Sequence, residues 1–148
     1  MKMAEFRGRI RLPQRGPFIY FIKKGRCLYI GETQQLVVIR WGSHFSEYGS
    51  FRDALRKVDP ELLETEDDVC FFVFYCDEIH KNCTLAKMRR TTQYLEHLLH
   101  VRTITHPQLG PRFDLISETK RTAPKVCDFA DIASVADGII KQIASALS

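Results

Sequence analysis

The chain has 148 residues and a net charge of +4, and 45% of its residues are apolar, which is enough for one packed domain over residues 1–148. No apolar run approaches the roughly 18–20 residues of a membrane-spanning helix, and the first residues lack the hydrophobic segment of a secretory signal. The five cysteines form no Cys-x-x-Cys pair, which argues against a disulfide framework or a zinc knuckle. We therefore expect a cytoplasmic protein with reduced thiols and no membrane partner.

Charge is unevenly distributed along the chain. Residues 1–26 contain eight Lys or Arg side chains against the single acid Glu5, and residues 59–78 contain eight Asp or Glu and no Lys or Arg. This asymmetry favours a protein that turns one basic face towards a polyanion, although solubility alone also accounts for charged surfaces. Residues 1–16 are interpreted as a basic N-terminal arm.

Residues 18–23 and 27–31 are rich in Ile, Phe and Tyr, which predicts two strands. A two-residue turn at Lys24-Gly25 would place Tyr20 directly opposite Tyr29 on one face of the hairpin. The opposite face would then carry the apolar side chains of Ile19, Phe21, Leu28 and Ile30. By itself, the tyrosine pair is open to two interpretations, a cross-strand aromatic contact in the core or part of a functional site.

Helical patterns and turn signals organise the rest of the chain. Helices are predicted over residues 34–45, 50–58, 84–102 and 131–147, the first capped by Thr33 and the second by Ser50. An acidic loop at 59–68, with a helical turn at Pro60, precedes a strand at 69–76 that is apolar on both faces and is therefore expected in the centre of the sheet. The predicted fold is α/β (α+β), with a small, mainly antiparallel three-stranded sheet flanked by helices and an extra C-terminal amphipathic helix within residues 128–148.

Several short motifs occur in a fixed order along these elements. They are Phe18-Ile19-Tyr20, Tyr29-Ile30-Gly31, Gly31-x-Thr33-x-x-Leu36, Arg40 with His44 four residues later, Glu96 in the long helix, and Pro111-Arg112-Phe113-Asp114. In these residues the chain resembles the GIY-YIG nuclease family over residues 17–114, and the set as a whole is far more specific than Tyr-Ile-Gly alone.

The resemblance implies a metal-dependent endonuclease that hydrolyses DNA phosphodiester bonds at a single-metal site. It implies that Tyr20 acts near the attacking water and that Tyr29 supports it. Glu96 would bind Mg²⁺ or Mn²⁺, and a single hard carboxylate suits a magnesium ion that keeps several waters. Arg40 would clamp the phosphate, because a guanidinium matches phosphate oxygens bidentately. His44 would act as base, acid or hydrogen-bonding organiser.

Three departures from the family pattern matter. Phe18 replaces the glycine that opens the first motif, which should affect packing only. Arg40 lies nine residues after Gly31, one more than usual, and one residue rotates a helical side chain by about 100°. The first helix must therefore start later, or bulge, for Arg40 to reach the tyrosines. Asp114 stands where the family usually has asparagine, and it either binds metal or is not the true counterpart.

DNA is the expected partner, held through backbone contacts without sequence readout. The candidate nucleic-acid-binding side chains are Lys23, Lys24, Arg26, Arg89 and Arg90. The C-terminal helix either closes the core or forms a homodimer, and a separate DNA-recognition partner is a further alternative. The competing functions are a non-catalytic nucleic-acid-binding module that retains the fold and a structural protein whose tyrosine pair is core.

Overall fold

A four-stranded mixed sheet organises the computed structural model, which describes residues 15–47, 49–118 and 131–148. The strands are β1 (Arg15–Lys24), β2 (Cys27–Gln35), β3 (Val69–Tyr75) and β4 (Asp114–Leu115). Their order is β3-β1-β2-β4, with β1 antiparallel to both neighbours and β4 parallel to β2. The prediction of an α+β fold is confirmed at this level. The predicted sheet of three mainly antiparallel strands is wrong, because a fourth strand, β4, pairs in parallel with β2. A two-residue strand carries no periodic pattern, so sequence could not show it.

Helices surround the sheet on both faces. They are α1 (Val37–Phe45), α2 (Ser50–Val58), α3 (Asp77–Asn82), α4 (Leu85–Thr105), α5 (Leu109–Arg112) and α6 (Ile132–Ala146). A 3₁₀ turn at Pro60–Leu63 confirms the turn predicted at Pro60. None of these helices combines the length and apolar character needed to cross a bilayer. The predicted arm at 1–16 lies outside the described residues except for Arg15 and Gly16, which begin β1.

The hairpin register differs from the prediction by one residue on each strand. Lys24 pairs with Cys27, and the turn residues are Gly25 and Arg26. Gly25 has φ of 54°, the left-handed conformation that a turn of this kind needs at its first central position and that glycine adopts without strain. The turn is therefore fixed by where the glycine must sit, not by Lys24.

The register change leaves both tyrosines on one face. Tyr20 pairs with Gly31 and Tyr29 pairs with Ile22, so the tyrosines are diagonal neighbours and the predicted direct pair is wrong. Both strands moved by one residue, so each side chain kept its face, because side chains alternate with a period of two. The opposite face carries Ile19, Phe21, Leu28 and Ile30 in one core cluster, as predicted.

The prediction that the third strand is central is wrong, because β3 lies at the edge and β1 lies between β3 and β2. Residues 18–22 of β1 are at most 1% exposed, whereas every residue of β3 is half-buried. Phe72 and Phe74 pack against one core cluster, and Phe71 and Val73 pack against the other. The apolar pattern of β3 therefore reflects helices on both faces of the sheet and not a central position.

The C-terminal helix closes the core. The predicted helix over 131–147 is confirmed within one residue at each end, and residues 128–130 of the wider segment lie outside the described residues. Its buried side chains pack in the same cluster as Leu95 and Leu99 of α4. Arg102 of α4 adds an ion pair to Asp137 at 3.1 Å. The apolar face is thereby used within the chain, so a homodimer through α6 would have to use its exposed residues.

The close approach of Tyr20 to Gly31 gives a first prediction. A Cβ at position 31 would overlap the hydroxyl and ring of Tyr20, so Gly31→Ala must displace the phenol. We expect this variant to lose about 1–3 kcal/mol of unfolding free energy, the usual range for overpacking. Urea denaturation measures the change.

Gly42→Ala is the matched control, because a Cβ at position 42 meets nothing within 4 Å and the residue lies in α1. It should stabilise the protein by up to about 1 kcal/mol through helix propensity. Equal effects of the two substitutions would contradict the steric role of Gly31.

Candidate active site

A buried hydrogen bond joins β1 to the last turn of α1. The hydroxyl of Tyr20 lies 2.5 Å from Nε2 of His44, and both side chains are 1% exposed. Tyr20 is held in place because its ring passes over Gly31, which has no side chain to block it. The glycine of the Tyr-Ile-Gly motif is therefore needed for space at this position.

Ser50 completes the second side of the histidine ring. Its Oγ lies 2.8 Å from Nδ1 of His44, and the hydroxyl of Tyr29 donates to the same Oγ at 3.4 Å. Sequence analysis assigned Ser50 to the cap of α2, but Gly49 occupies the cap position and no side chain caps the helix. The hydroxyl is thereby available for His44, a role that no sequence signal indicated.

Arg40 reaches the same phenol despite its late position in the motif. The guanidinium interacts with the Tyr20 hydroxyl closely enough to lower the pKa of Tyr20, against the larger effect of burial, and the phenol in turn raises the pKa of Arg40. The helix that carries Arg40 begins at Val37, three residues later than predicted, because β2 continues to Gln35 and Thr33 lies in the strand opposite Phe18. The longer strand absorbs the extra residue. Arg40 and His44, four residues apart, thus both contact Tyr20.

Glu96 lies on α4, near the same group of side chains. Its negative charge acts on the hydroxyls of Tyr20 and Tyr29 and raises the pKa of both, in each case as a smaller effect than burial. Two side-chain contacts fix the preceding turn of α4 against the end of β2. Gln34 Nε2 donates to Thr92 Oγ1 at 3.1 Å, and Gln93 Nε2 donates to Glu32 Oε1 at 3.5 Å.

Burial sets the protonation of the site. Burial, and to a smaller extent the Arg40 charge, lowers the pKa of His44 to about 4, so the imidazole is neutral near pH 7. Burial also raises the pKa of Tyr20 well above its usual value, although the interaction with Arg40 opposes the shift. The ground state therefore holds a neutral phenol beside a neutral imidazole.

One proton arrangement gives each ring nitrogen and the Tyr20 hydroxyl a partner. The Tyr20 O–H donates to Nε2 of His44, and Nδ1–H of His44 donates to Ser50 Oγ. This tautomer is assigned from the network of donors and acceptors. It leaves Nε2 as the proton acceptor for Tyr20.

A cleft of about 340 Å³ opens beside Arg40. Its lining consists of Glu32, Thr33, Gln34, Gln35, Arg40 and Arg89. Arg89 therefore faces the same space as the predicted phosphate clamp, and Arg90 lies exposed on the same helix. The two arginines in the cleft make it a suitable place for an anionic group.

The remaining predicted basic residues do not join this group. Lys24 is 8% exposed and its Nζ donates to the Thr65 carbonyl at 3.1 Å, so it serves the fold. Lys23 and Arg26 line a separate cleft near the hairpin turn. Strand alternation puts Lys23 on the face opposite Tyr20, at about 10 Å along the strand. The turn therefore lies apart from the tyrosines, and nucleic-acid binding by these side chains stays a prediction.

Asp114 also lies away from the tyrosines. It begins β4 opposite Cys27 and pairs with Arg26 at 3.8 Å, with both side chains largely exposed. Ser117, which was not among the predicted site residues, contacts the hairpin closer to the tyrosines, at Ile30. Its Oγ accepts from the Ile30 amide at 2.9 Å and lies 2.8 Å from Nε2 of His100. His100 donates from Nδ1 to the Glu96 carbonyl, which ties the Glu96 turn to β2.

The donor set limits how a metal ion would bind. In the described parts of the chain, no three His, Cys, Asp or Glu side chains are grouped so that they could hold a metal. Glu96 offers one hard carboxylate whose charge reaches the tyrosine hydroxyls. That fits Mg²⁺, which keeps most of its waters and needs few protein ligands, and it does not fit an all-protein cage.

Comparison with known proteins assigns no family. No family model matches the chain, and no match was found among curated proteins or solved structures.

The low pKa of His44 gives a pH prediction. Its folded pKa of about 4 lies below its ordinary value of 6.5, so between these values the unfolded chain binds more protons than the native state. Stability must therefore fall as pH decreases from 6.5 towards 4, by roughly 3 kcal/mol at most from this residue.

Urea unfolding of the wild type and of His44→Asn across this pH range measures the effect. The variant should show the smaller pH slope. His100, whose pKa is also lowered by burial, contributes in both proteins and cancels in the difference. Parallel pH curves would contradict the buried neutral state of His44.

Proposed function

We propose that the chain is a metal-dependent endonuclease of the GIY-YIG type that hydrolyses DNA phosphodiester bonds. The observation that carries the proposal is the Tyr20 hydroxyl, which is hydrogen bonded to His44 and lies within electrostatic reach of Arg40 and Glu96. Every one of these four side chains was selected by the motif resemblance, from three separate elements of the chain. A core tyrosine pair would not require an arginine, a histidine and a carboxylate around one phenol.

Hydrolysis needs a nucleophilic water, charge stabilisation of the phosphate and help for the leaving oxygen. Arg40 would bind a non-bridging phosphate oxygen, with Arg89 lining the same cleft. This contact would place the scissile phosphorus beside the Tyr20 hydroxyl. Glu96 would hold Mg²⁺, which when bound supplies positive charge to the phosphate and to the leaving oxygen.

Tyr20 and His44 would move the proton of the attacking water together. Because burial raises the pKa of Tyr20, a free phenolate is disfavoured in the resting site. The water can instead give its proton to the Tyr20 oxygen while Tyr20 passes its own proton to Nε2 of His44. The imidazolium formed is stabilised by Ser50, which accepts from Nδ1–H, and by the negative charge of the substrate.

The second candidate is a nucleic-acid-binding module without cleavage. The raised pKa of Tyr20 favours it, because a phenol that stays protonated is a poor base. A plasmid-cleavage assay distinguishes the two functions, because a binding module would bind DNA and leave the plasmid intact.

Metal dependence is the first functional prediction. Wild-type protein should nick supercoiled plasmid with Mg²⁺ and not with EDTA. Glu96→Gln should lower the nicking rate by about 10²- to 10³-fold, because the amide cannot supply the carboxylate charge. Glu78→Gln, an exposed carboxylate on α3, is the control and should keep the wild-type rate. Nicking that persists in Glu96→Gln would exclude Glu96 as the metal ligand.

Ser50 gives a second functional prediction. Ser50→Ala removes the acceptor for Nδ1–H of His44 and should lower the nicking rate by roughly 3- to 10-fold, the value of one hydrogen bond. Ser50→Thr keeps the hydroxyl and should recover most of the rate. Ser46→Ala controls for loss of an exposed serine hydroxyl near the same helices. If Ser50→Ala cleaves as fast as Ser46→Ala, Ser50 does not position His44.

A further inference from the structure

A second cleft, of about 590 Å³, lies at the turn end of the hairpin on the face opposite Tyr20. It is lined by β1, the hairpin turn and β3 on one side, by the end of α5 and the residue after it on another, and by the end of α6. Its side chains include three cations, Lys23, Arg26 and Arg112, and two phenylalanines, Phe72 and Phe113. No Asp or Glu occurs among the described residues that line it.

The cations are placed to accept a new partner. Arg112 and Arg26 are exposed at the surface. Arg26 interacts with Asp114 at 3.8 Å, but both side chains are more than half exposed. Such pairs contribute little to stability, so a phosphate can replace the carboxylate at small cost. The donors of a guanidinium form a fixed fork that binds phosphate oxygens bidentately.

The aromatic rings distinguish this cleft from an ordinary basic surface. Phe72 and Phe113 are only partly buried and pack at the margin of the core. The Arg112 guanidinium lies 5.4 Å from the centre of the Phe113 ring, so cation and ring are adjacent. Rings beside backbone-binding cations are how proteins bind single-stranded nucleic acid, because bases stack on the rings while phosphates contact the cations.

We propose that this cleft binds an unpaired strand of nucleic acid, with a base on Phe113 and phosphates on Lys23, Arg26 and Arg112. A volume of about 590 Å³ falls in the range of small-ligand sites, which suits one or two nucleotides and not a duplex. The proposal rests on the proposed function and extends it by naming the substrate form, a DNA with an unpaired segment. It is tested by binding alone, so it does not depend on cleavage.

Fluorescence anisotropy of the full chain in EDTA, with labelled oligothymidine and with a duplex of the same length, tests the proposal. Arg112→Glu should weaken oligothymidine binding by about tenfold, and Phe113→Leu, which keeps an apolar side chain, by about fivefold. Lys141→Glu makes the same charge change on an exposed position of α6, in another cleft, and should change affinity by less than about threefold. Duplex affinity should respond weakly to Phe113→Leu.

Three results would overturn the proposal. Equal losses from Arg112→Glu and Lys141→Glu would mean that only net charge matters. Equal loss of duplex and oligothymidine binding in Phe113→Leu would exclude base stacking. Displacement of oligothymidine by polyglutamate at matched charge would indicate an acidic peptide as the partner. Binding is measured without metal and nicking with Mg²⁺, so failure of this cleft and failure of the nuclease site are separately visible.

Discussion

The contact between the Tyr20 ring and Gly31 is the constraint on which the rest of the site depends. The two residues are cross-strand partners, and the phenol occupies the space that a side chain at position 31 would fill. This contact directs the hydroxyl to α1, where His44 in the last turn hydrogen bonds to it and Arg40, one turn earlier, interacts with it. The hairpin thus does more than supply two apolar faces, because it fixes one oxygen among charged and titratable groups.

The electrostatics of the site determine the protonation state of the Tyr20 hydroxyl. Burial keeps Tyr20 and His44 neutral, which avoids the cost of isolated buried charges. In the proposed function, the hydrogen-bonded row Tyr20, His44 and Ser50 would offer a path for a proton without a stable phenolate. A substrate phosphate beside Arg40 would add the negative charge that favours an imidazolium at His44.

The sequence predicted which side chains surround Tyr20 better than it predicted the strand register and the helix start that bring them together. The tyrosines stayed on one face because a shift of one residue on each strand preserves alternation, even though the turn was placed wrongly at Lys24. The start of α1 was also misplaced, since the pattern gave no sign that β2 continues to Gln35. Both errors arise from tertiary pairing, which overrides local signals.

Other features were beyond sequence reasoning for physical reasons. Ser50 binds His44 across two helices, and Ser117 binds Ile30 over a long stretch of chain, so neither contact has a local pattern. The edge position of β3 was hidden because helices cover both of its faces. The separate cleft at Lys23 and Arg26 could not be predicted from the sequence. It requires Lys23 on the face opposite Tyr20 and Arg112 close by, and the position of Arg112 follows from the fold alone.

The most direct test of the central claim is the plasmid-nicking rate of Tyr20→Phe with Mg²⁺, compared with Tyr75→Phe, a tyrosine on β3 outside the site. Removing the Tyr20 hydroxyl should lower the rate by about 10²- to 10⁴-fold, the usual contribution of acid–base catalysis, while the fold is retained. Tyr75→Phe should cleave like the wild type. A Tyr20→Phe variant that nicks at the wild-type rate would contradict the account.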